Sequence, residues 1–411
     1  IMNRLALHGG KPIRTKPFPR YNTIGESEKK AVLEVLDGGM LSDFLGVWGE
    51  KFEGGKHVRA LEQAWAARFG TAHAVTVNTA TSGLYAAIGA LGIGPGDEVI
   101  VSPYTMSASA TCALIYGATP VFADIEEDFF CLDPKDVARK ITPNTKAIVA
   151  VDIAGQPAAL DELMALARKH NLKVIEDCAQ APGALYKGRS AGTVADIGIY
   201  SLNCHKTIQT GEGGVAVTND PKLALRLKLI RNHAEAVVGG MPDPAGLEDL
   251  LGWNYRMTEI EAAIGLVQLE RMDSLNKERV DRVAYLDSKL SKIPGLTPPP
   301  VRPGCSHVYY IHLLRLDAKV AGVSRDAFAK ALRAEGVPVG SGYVRPLYRL
   351  PLFAKRLPRA PECPVVERLF RDEVLVNSLF YPPLERADLD DIVRAYEKVA
   401  ENAASLQAVQ A

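Results

Sequence analysis

The chain has 411 residues, and its 48 basic and 48 acidic side chains leave no formal net charge. This length suffices for two domains with a sizeable core, while the charge balance gives no support to nucleic-acid binding or to docking on an anionic membrane. Hydrophobic residues make up 47% of the chain and charged residues 23%, which is typical of a globular protein.

The first 57 residues are predicted to form an N-terminal arm. Their opening, IMNRLALHGGKPIRTKPFPRY, contains no continuous apolar run, so no secretory signal peptide is expected. No stretch of the chain approaches the roughly 18 uncharged apolar residues of a membrane-spanning helix. Residues 58–70 have the spacing of an amphipathic helix that ends at Gly70.

Strands and helices alternate from residue 73 onward. The predicted strands cover 73–78, 97–103, 119–125, 146–153, 172–177, 197–202 and 214–219. The predicted helices between them cover 81–91, 106–117, 133–141 and 159–170. The last two strands have no full helix between them, which indicates a local hairpin. The alternation predicts an α/β fold whose large domain has a mostly parallel, doubly wound sheet with helices on both faces.

The C-terminal part is predicted to form a smaller α/β domain. A long helix is expected over 257–275, followed by a charged segment, and the proline-rich residues 293–304 are the candidate linker. A strand at 307–316, a helix with Ser324 as N-cap and a closing helix at 387–405 come after the linker.

The predicted domain limits follow from these elements. Residues 1–275 would form the large, ligand-binding domain, including the arm, and residues 276–411 the smaller C-terminal α/β domain. In parallel α/β sheets, ligands bind beyond the carboxyl ends of the strands. That rule selects four clusters, which are residues 78–81, 103–105, 177–180 and 201–206.

The first two clusters have the chemistry for a phosphate and for a planar group. The segment Asn78–Ser82 lies at a strand-to-helix junction, where free backbone N–H groups and hydroxyls suit a phosphate. Ordinary N-capping explains the same residues. Tyr104 has a ring that suits stacking on a planar ligand, and equally suits packing in the core.

The third and fourth clusters supply a carboxylate and an amine. Asp177 ends a buried strand and suits a cationic ring nitrogen, with Gln180 close behind it, although acidic residues also occur at ordinary loop starts. Lys206 follows Ser201 and His205, and a partly buried lysine is a nucleophile toward carbonyls. A solvated turn lysine remains the alternative. The GEGG sequence that follows permits a tight turn, and it is not a P-loop, in which the glycines precede the lysine.

Taken together, a phosphate cradle, an aromatic plate, a carboxylate and a lysine suit a phosphorylated pyridine aldehyde. At this point the sequence resembles the DegT/StrS-type sugar aminotransferases, pyridoxal-phosphate enzymes of the aspartate-aminotransferase fold (fold type I). The resemblance extends from LALHGGKPIR to YPPL and covers nearly the whole chain. Its most specific motifs are VIEDCAQAPGALYKGRSAGTVADIGIYSL at 174–202, KTIQTGEGG at 206–214 and LGWNYRMTEIEAAIGLVQL at 251–269.

The resemblance implies roles for the residues around the cofactor ring. Lys206 would be the Schiff-base lysine, and Asp177 would partner the pyridine nitrogen of pyridoxal 5'-phosphate. Gln180 would contact the phenolic oxygen of the cofactor, and Tyr104 would stack on its ring. Because Lys206 is retained, with His205 beside it and not in its place, transamination is favoured over dehydration.

The resemblance also implies a phosphate site and a subunit arrangement. Ala80, Thr81 and Ser201 would hold the phosphate, although Ala80 stands where the family often has glycine, so its contact requires a negative φ. Asn254, in the GWNYR motif, would reach the phosphate from a neighbouring subunit. The expected assembly is therefore a homodimer with shared active sites.

The implied reaction transfers an amino group from L-glutamate or L-glutamine through the pyridoxamine 5'-phosphate form of the cofactor. The acceptor would be a keto-sugar, a nucleotide-linked keto-sugar, a keto-cyclitol or a related carbonyl compound of amino-sugar biosynthesis. Donor and acceptor both stay open. Residues with a candidate role in substrate binding, for which packing or solvation is an equal explanation, are His233, His307, Tyr309, Tyr343 and Arg345.

Three other classes compete with this interpretation. A pyridoxamine-phosphate-dependent sugar dehydratase would need the lysine out of its central role, and a non-catalytic pyridoxal-phosphate-binding regulatory protein would not convert the cofactor. A dinucleotide-binding oxidoreductase would need a GxGxxG turn after the first strand, which NTATSG is not. The six scattered cysteines predict reduced thiols of a cytoplasmic protein, and the histidine spacing predicts no metal site.

Overall fold

A seven-stranded sheet forms the centre of the larger part of the molecule. The computed structural model describes residues 4–357 and 360–407. The strands of this part are β1 (His73–Val77), β2 (Glu98–Val101), β3 (Thr119–Phe122), β4 (Thr145–Val151), β5 (Lys173–Asp177), β6 (Leu185–Tyr186), β7 (Arg189–Ser190), β8 (Ile197–Ser201) and β9 (Gly214–Thr218). The order in the large sheet is β1-β9-β8-β5-β4-β2-β3, and β6 and β7 form a separate small hairpin.

The large sheet is mostly parallel, as predicted. Only β9 runs antiparallel to its neighbours β1 and β8, and the remaining pairs are parallel. The central strands β4 and β5 are buried over nearly their whole length, as expected for strands of a parallel sheet with helices on both faces. The predicted hairpin is confirmed by β8 and β9, which pair directly across the turn that carries Lys206.

Helices surround this sheet and continue into the C-terminal part. In chain order they are α1 (Glu26–Gly38), α2 (Lys56–Phe69), α3 (Ala80–Ala90), α4 (Ala108–Ile115), α5 (Pro134–Lys140), α6 (Leu160–His170), α7 (Pro221–Arg231), α8 (Ala234–Val238), α9 (Glu259–Leu290), α10 (Ala318–Ala321), α11 (Arg325–Ala334), α12 (Pro351–Ala354), α13 (Pro364–Arg368), α14 (Arg386–Glu401) and α15 (Ala403–Gln407). The capping residues explain several of their starts. Asp133 caps α5 ahead of Pro134, and Ser324 caps α11, as the sequence predicts.

A second, antiparallel sheet lies in the C-terminal part. Its strands are β10 (Leu296–Thr297), β11 (His312–Leu316), β12 (Gly340–Ser341) and β13 (Val374–Asn377), in the order β10-β11-β13-β12. The helices α11 and α14 contribute Phe328 and Tyr396 to the buried core of this part.

The strand predicted over 307–316 is wrong in its first half. Only His312–Leu316 joins the second sheet. The preceding residues dock instead on the loop after β4, where Val308 N–H donates to the Gly155 carbonyl and Tyr310 N–H donates to the Ala154 carbonyl. These backbone bonds replace the ladder bonds of a strand, and they bring the second part of the chain against the large sheet.

One helix joins the two parts of the molecule. The helix α9 has 32 residues, and a capping box of Thr258 and Glu261 fixes its start. It packs on α1 and α2 near its beginning and contacts α14 farther along. The predicted domain limit between residues 275 and 276 falls inside α9, and that limit stays a prediction. None of the helices within residues 4–357 and 360–407 is long and apolar enough to span a membrane.

A buried ion pair ties β1 to two of the helices. The Arg231 guanidinium at the end of α7 is fully buried and donates to Glu62 of α2 at 2.5 Å. It also donates to the carbonyl oxygen and the hydroxyl of Thr76 in β1, at 3.1 and 3.2 Å. This cluster holds the strand that leads into Asn78 and the start of α3.

We expect Arg231→Met to lower the free energy of unfolding by about 3 to 5 kcal/mol, because Glu62 would keep a buried charge without its cation. Urea unfolding of both proteins measures the difference. The control is Arg59→Met, since Arg59 meets Glu50 at 3.9 Å with both side chains exposed, and we expect it to change the stability by less than about 1 kcal/mol. Equal effects of the two substitutions would contradict the assignment.

Candidate active site

A cavity of about 340 Å³ lies at the carboxyl ends of β5 and β8. The N-terminal ends of α3 and α4 close one side of it, and Tyr310 and Tyr343 come from the C-terminal part. Its volume is in the range of small-molecule sites. The sequence-predicted residues on its wall are Ala80, Thr81, Asp177, Gln180, Ser201, Lys206 and Tyr343.

One corner of the cavity is a helix N-terminus. Thr79 caps α3 by accepting a hydrogen bond from Ser82 N–H at 3.0 Å, so the ordinary capping interpretation holds. The next N–H groups, those of Ala80 and Thr81, belong to the first turn, where no carbonyl of the helix can reach them. Ala80 is helical and is not among the residues with positive φ, so alanine is tolerated where the family often has glycine. This corner suits an anion.

The glycine that starts β9 makes room for this helix N-terminus. Gly214 lies opposite Ser201 in the β8–β9 pair. A Cβ built on Gly214 would lie 2.6 Å from the backbone nitrogen of Ala80 and 2.7 Å from the carbonyl carbon of Thr79. Backbone atoms cannot yield at such distances, so only glycine lets α3 begin this close to the sheet.

A buried carboxylate lies at the end of β5. Asp177 accepts a hydrogen bond from the Ser109 hydroxyl at 2.7 Å and one from Ala179 N–H at 3.2 Å. Burial raises the pKa of this carboxyl, and the hydroxyl, the N–H group and the charge of Lys206 work against that rise. The two hydrogen bonds fix the orientation of the carboxylate toward the cavity.

An amine of lowered basicity projects from the β8–β9 turn. Burial lowers the pKa of Lys206 to about 8, and the nearby Asp177 carboxylate opposes this effect. The lysine nitrogen lies 4.1 Å from the centre of the Tyr310 ring, which is a cation–π distance. A large share of this amine is therefore neutral near pH 8, and a neutral amine attacks carbonyl carbon.

A chain of hydrogen bonds supports the wall opposite the helix N-termini. The Gln180 side chain accepts from Ala154 N–H and donates to the Tyr343 hydroxyl, both at 2.8 Å. Tyr343 N–H in turn donates to the Tyr104 hydroxyl at 3.0 Å. Because Ala154 also accepts from Tyr310 N–H, Gln180 braces the loop that carries Tyr310.

The remaining predicted site residues lie elsewhere in this structure. The ring of Tyr104 is fully buried between Phe130 and Tyr343, and its neighbours Thr105 and Met106 line the cavity in its place. Its stacking role, like the roles of the other residues, stays a prediction.

Four more predicted residues are absent from the cavity wall. His307 and Tyr309 are buried and stack on each other, with ring centres 3.9 Å apart. His233 is the N-cap residue that precedes α8, and its N–H donates to the Trp253 carbonyl. Arg345 is exposed to solvent. The substrate-binding role predicted for these residues is not tested by their positions in a single chain.

Asn254 is also exposed and lies off the wall, where it accepts a hydrogen bond from Arg256 at 2.8 Å. Its predicted role requires a neighbouring subunit and stays a prediction. Among the residues that the structure describes, no group of three or more His, Cys, Asp or Glu side chains could hold a metal ion.

Sequence reasoning missed several residues of the site. Tyr310 falls within the strand predicted over 307–316, although its position beside Tyr309 in the HVYY run makes it one of two adjacent aromatic candidates. Ser109 had a usable signal, because it lies in the first turn of α4, the helix that follows β2. Asn203 and Glu212 hydrogen-bond to each other at 3.0 Å on the wall, and the sequence carried no sign of that pair.

The chain is similar in sequence to known aminotransferases. A model of the DegT/DnrJ/EryC1/StrS aminotransferase family matches residues 22–397. The L-glutamine:2-deoxy-scyllo-inosose aminotransferase of Streptomyces paromomycinus is 34% identical over 425 residues, covering 98% of this chain and 99% of the relative. GDP-perosamine synthase of Caulobacter vibrioides is 35% identical over 374 residues, covering 91% of this chain and 95% of the relative.

The fold is also found among solved structures. The crystal structure of DesV from S. venezuelae, in complex with a ketimine intermediate, superimposes with a TM-score of 0.81. The two sequences are 32% identical, and the match covers 93% of this chain and 99% of DesV. The predicted fold class, a fold type I architecture with a large mostly parallel sheet, is thereby confirmed.

We expect Gly214→Ala to weaken binding of pyridoxal 5'-phosphate by at least about tenfold, because the new methyl group would displace the first turn of α3 from the anion corner. Quenching of tryptophan fluorescence on titration with the cofactor measures the affinity. Gly239→Ala is the control, since a Cβ there would have no atom within 4 Å and its φ of −62° suits any residue. Unchanged affinity in Gly214→Ala would show that the anion corner does not contribute to cofactor binding.

Proposed function

Since the chain belongs to the DegT/DnrJ/EryC1/StrS aminotransferase family, we propose that it transfers an amino group from L-glutamine or L-glutamate to the carbonyl of a sugar-like acceptor. The family match confirms the resemblance seen in the sequence motifs and the assignment as an aminotransferase. The acceptor class rests on relatives, which include an aminotransferase named for 2-deoxy-scyllo-inosose and a GDP-perosamine synthase. Keto-cyclitols and nucleotide-linked keto-sugars are therefore the two acceptor classes to test first.

The cofactor of this proposal is pyridoxal 5'-phosphate. The cavity offers each partner the cofactor needs, namely a helix N-terminus for the phosphate, the buried Asp177 for the ring nitrogen and the Lys206 amine for the aldehyde. When bound, this cofactor supplies the electron sink that lets an amino group leave one carbon and join another.

Lys206 carries two tasks in the proposed reaction. Its amine would hold the cofactor covalently at the aldehyde carbon, with release of water, and the same amine, when free, would accept a proton from the α-carbon of the amino donor. The lowered pKa of Lys206, about 8, suits both tasks. A strongly basic lysine would stay protonated at neutral pH and would neither attack nor accept a proton.

The other residues of the cavity would bind the cofactor and fix its orientation. Asp177, fixed by Ser109 and Ala179, would keep the ring nitrogen protonated, since a buried carboxylate strongly favours a paired cation. Ala80, Thr81 and Ser201 would bind the phosphate, and Gln180 would contact the phenolic oxygen. The observation that carries the proposal is the meeting of Lys206 and Asp177 in one cavity, at the strand ends where the family motifs place them.

Retention of a lysine at this position favours transamination over the dehydratase alternative. The Lys206 amine lies inside the cavity, 4.1 Å from Tyr310, whereas His205 beside it is exposed at the rim. The cytoplasmic location belongs to the proposal as well, and its support is that all six cysteines are free.

A homodimer with shared sites completes the proposal. A run of exposed apolar side chains lies between residues 33 and 48, with 39% to 57% of each side chain accessible. These residues are Leu33, Leu36, Met40, Leu41, Leu45, Val47 and Trp48. Exposed apolar surface of this extent is typical of an interface. The exposed Asn254 would reach the phosphate of the partner's cavity.

The first test is the visible absorption spectrum of the purified protein with pyridoxal 5'-phosphate. We expect a band from the cofactor bound to Lys206, and we expect L-glutamine or L-glutamate to bleach it. Lys206→Ala should lower turnover by at least about a thousandfold, while the exposed Lys187, which pairs with Asp161, provides the control Lys187→Ala. Normal turnover by Lys206→Ala would end the proposal.

The shared site is tested by complementation. Lys206→Ala and Asn254→Ala chains, co-expressed with different tags, should together regain about a quarter of the wild-type activity, because random pairing gives half mixed dimers with one intact site each. Each variant alone should have little activity. Absence of any gain in the mixed dimers would place Asn254 outside the partner's site.

A further inference from the structure

The N-terminal arm touches the backbone of the lysine turn. Tyr21, which precedes α1, directs its hydroxyl at the carbonyl oxygens of Lys206 and Thr207, at distances of 2.8 and 2.7 Å. One hydroxyl proton is thus shared between two consecutive peptide groups. These two peptide groups flank the Cα of Thr207, and the first of them, between Lys206 and Thr207, is attached to the Cα that carries the lysine side chain.

The arm is anchored next to this contact. Gln268 of α9 bonds to both the hydroxyl and the carbonyl of Thr23, at 3.0 and 3.1 Å, and Arg271 donates to the same carbonyl at 2.6 Å. The Gln268 side chain also accepts from Gln209 N–H at 3.2 Å. A single residue of α9 therefore holds the arm on one side of Tyr21 and the lysine turn on the other.

The ring of Tyr21 packs against Arg279 and Tyr381. The Arg279 guanidinium lies 5.0 Å from the centre of the ring, and Tyr381 meets the ring edge-on at 5.4 Å. Arg279 also donates to the Tyr309 carbonyl at 3.3 Å, one residue before the Tyr310 ring that contacts the lysine amine. Tyr21 is therefore held in place independently of the two carbonyls it binds.

The turn is tied at its base by backbone hydrogen bonds across it, and at its tip the Tyr21 hydroxyl donates to the two carbonyls. It lies between β8 and β9, outside the ladder, and Lys206 N–H makes a short-range bond to the Asn203 carbonyl. The Thr207 hydroxyl is buried without a hydrogen-bond partner within the described residues. A glycine-rich segment follows, and glycine restrains a backbone less than any other residue.

We propose that Tyr21 is a positioning residue, whose hydroxyl fixes the peptide groups of Lys206 and Thr207 and so keeps the lysine amine inside the cavity. The inference rests on the proposed role of Lys206 and extends it to a residue of the arm. Through this contact the arm governs how well the amine returns to its position after each release.

Removal of the Tyr21 hydroxyl should raise the pKa of Lys206. Burial lowers the pKa of Lys206 to about 8, so an amine that leaves the cavity for water regains part of its ordinary basicity. In Tyr21→Phe the pKa should rise, and a smaller share of the amine is then neutral below pH 9. The titratable and charged groups around the amine stay the same in the variant, and they are Asp177, Cys204, His205, Glu212, Arg279, Tyr310 and Tyr343.

The experiment compares Tyr21→Phe with Tyr381→Phe in the full chain. Tyr381 donates to the Pro19 carbonyl at 3.1 Å, so its variant loses a hydrogen bond of the same arm and leaves the lysine turn untouched. The first readout, in cofactor-free protein, is the pH dependence of trinitrobenzenesulfonate labelling at Lys206, followed by peptide mass spectrometry. The second readout is kcat and KM of the loaded enzyme.

For Tyr21→Phe we expect the labelling midpoint to rise by about one pH unit and kcat to fall about tenfold, with KM for the donor within about twofold. Tyr381→Phe should match the wild type in both. An unchanged midpoint in Tyr21→Phe, or equal changes in both variants, would overturn the proposal. Failure of the proposed function has a different signature, which is full turnover by Lys206→Ala whatever the labelling shows.

Discussion

The structure depends on burying an amine and a carboxylate in the same small cavity. Burial works in opposite directions on them, because it lowers the pKa of Lys206 and raises that of Asp177. Their mutual attraction offsets part of each effect. The result is an amine of lowered basicity beside a carboxylate that favours a nearby cation. Neither residue would have these properties alone.

The topology of the large sheet brings the amine and the carboxylate together. Parallel strands bring Asp177 and Ser201 to the same edge, and the antiparallel return of β9 turns the chain back at that edge. The turn places Lys206 over the cavity, while Gly214 lets the N-terminus of α3 lie against the sheet. One reversal of strand direction therefore supplies both the amine and the room for an anion.

The features that could be predicted from the sequence are those that depend on neighbouring residues in the chain, namely strand ends, helix caps and the motif around Lys206. Contacts between distant segments could not be predicted. The Tyr21 hydroxyl and the Lys206 carbonyl are 185 residues apart, and Tyr310 reaches its place only because residues 308–310 dock on the loop after β4. No periodicity marks such a partner.

The helix α9 has a consequence for how the protein unfolds. Its 32 residues extend about 48 Å, and its buried residues belong to two hydrophobic clusters, with Met272 in one that covers a face of the large sheet and Leu286 in the core of the C-terminal part. When either core opens, α9 loses part of the packing that keeps it helical. The two sheets are therefore parts of one cooperative unit, and melting of either should carry the other with it.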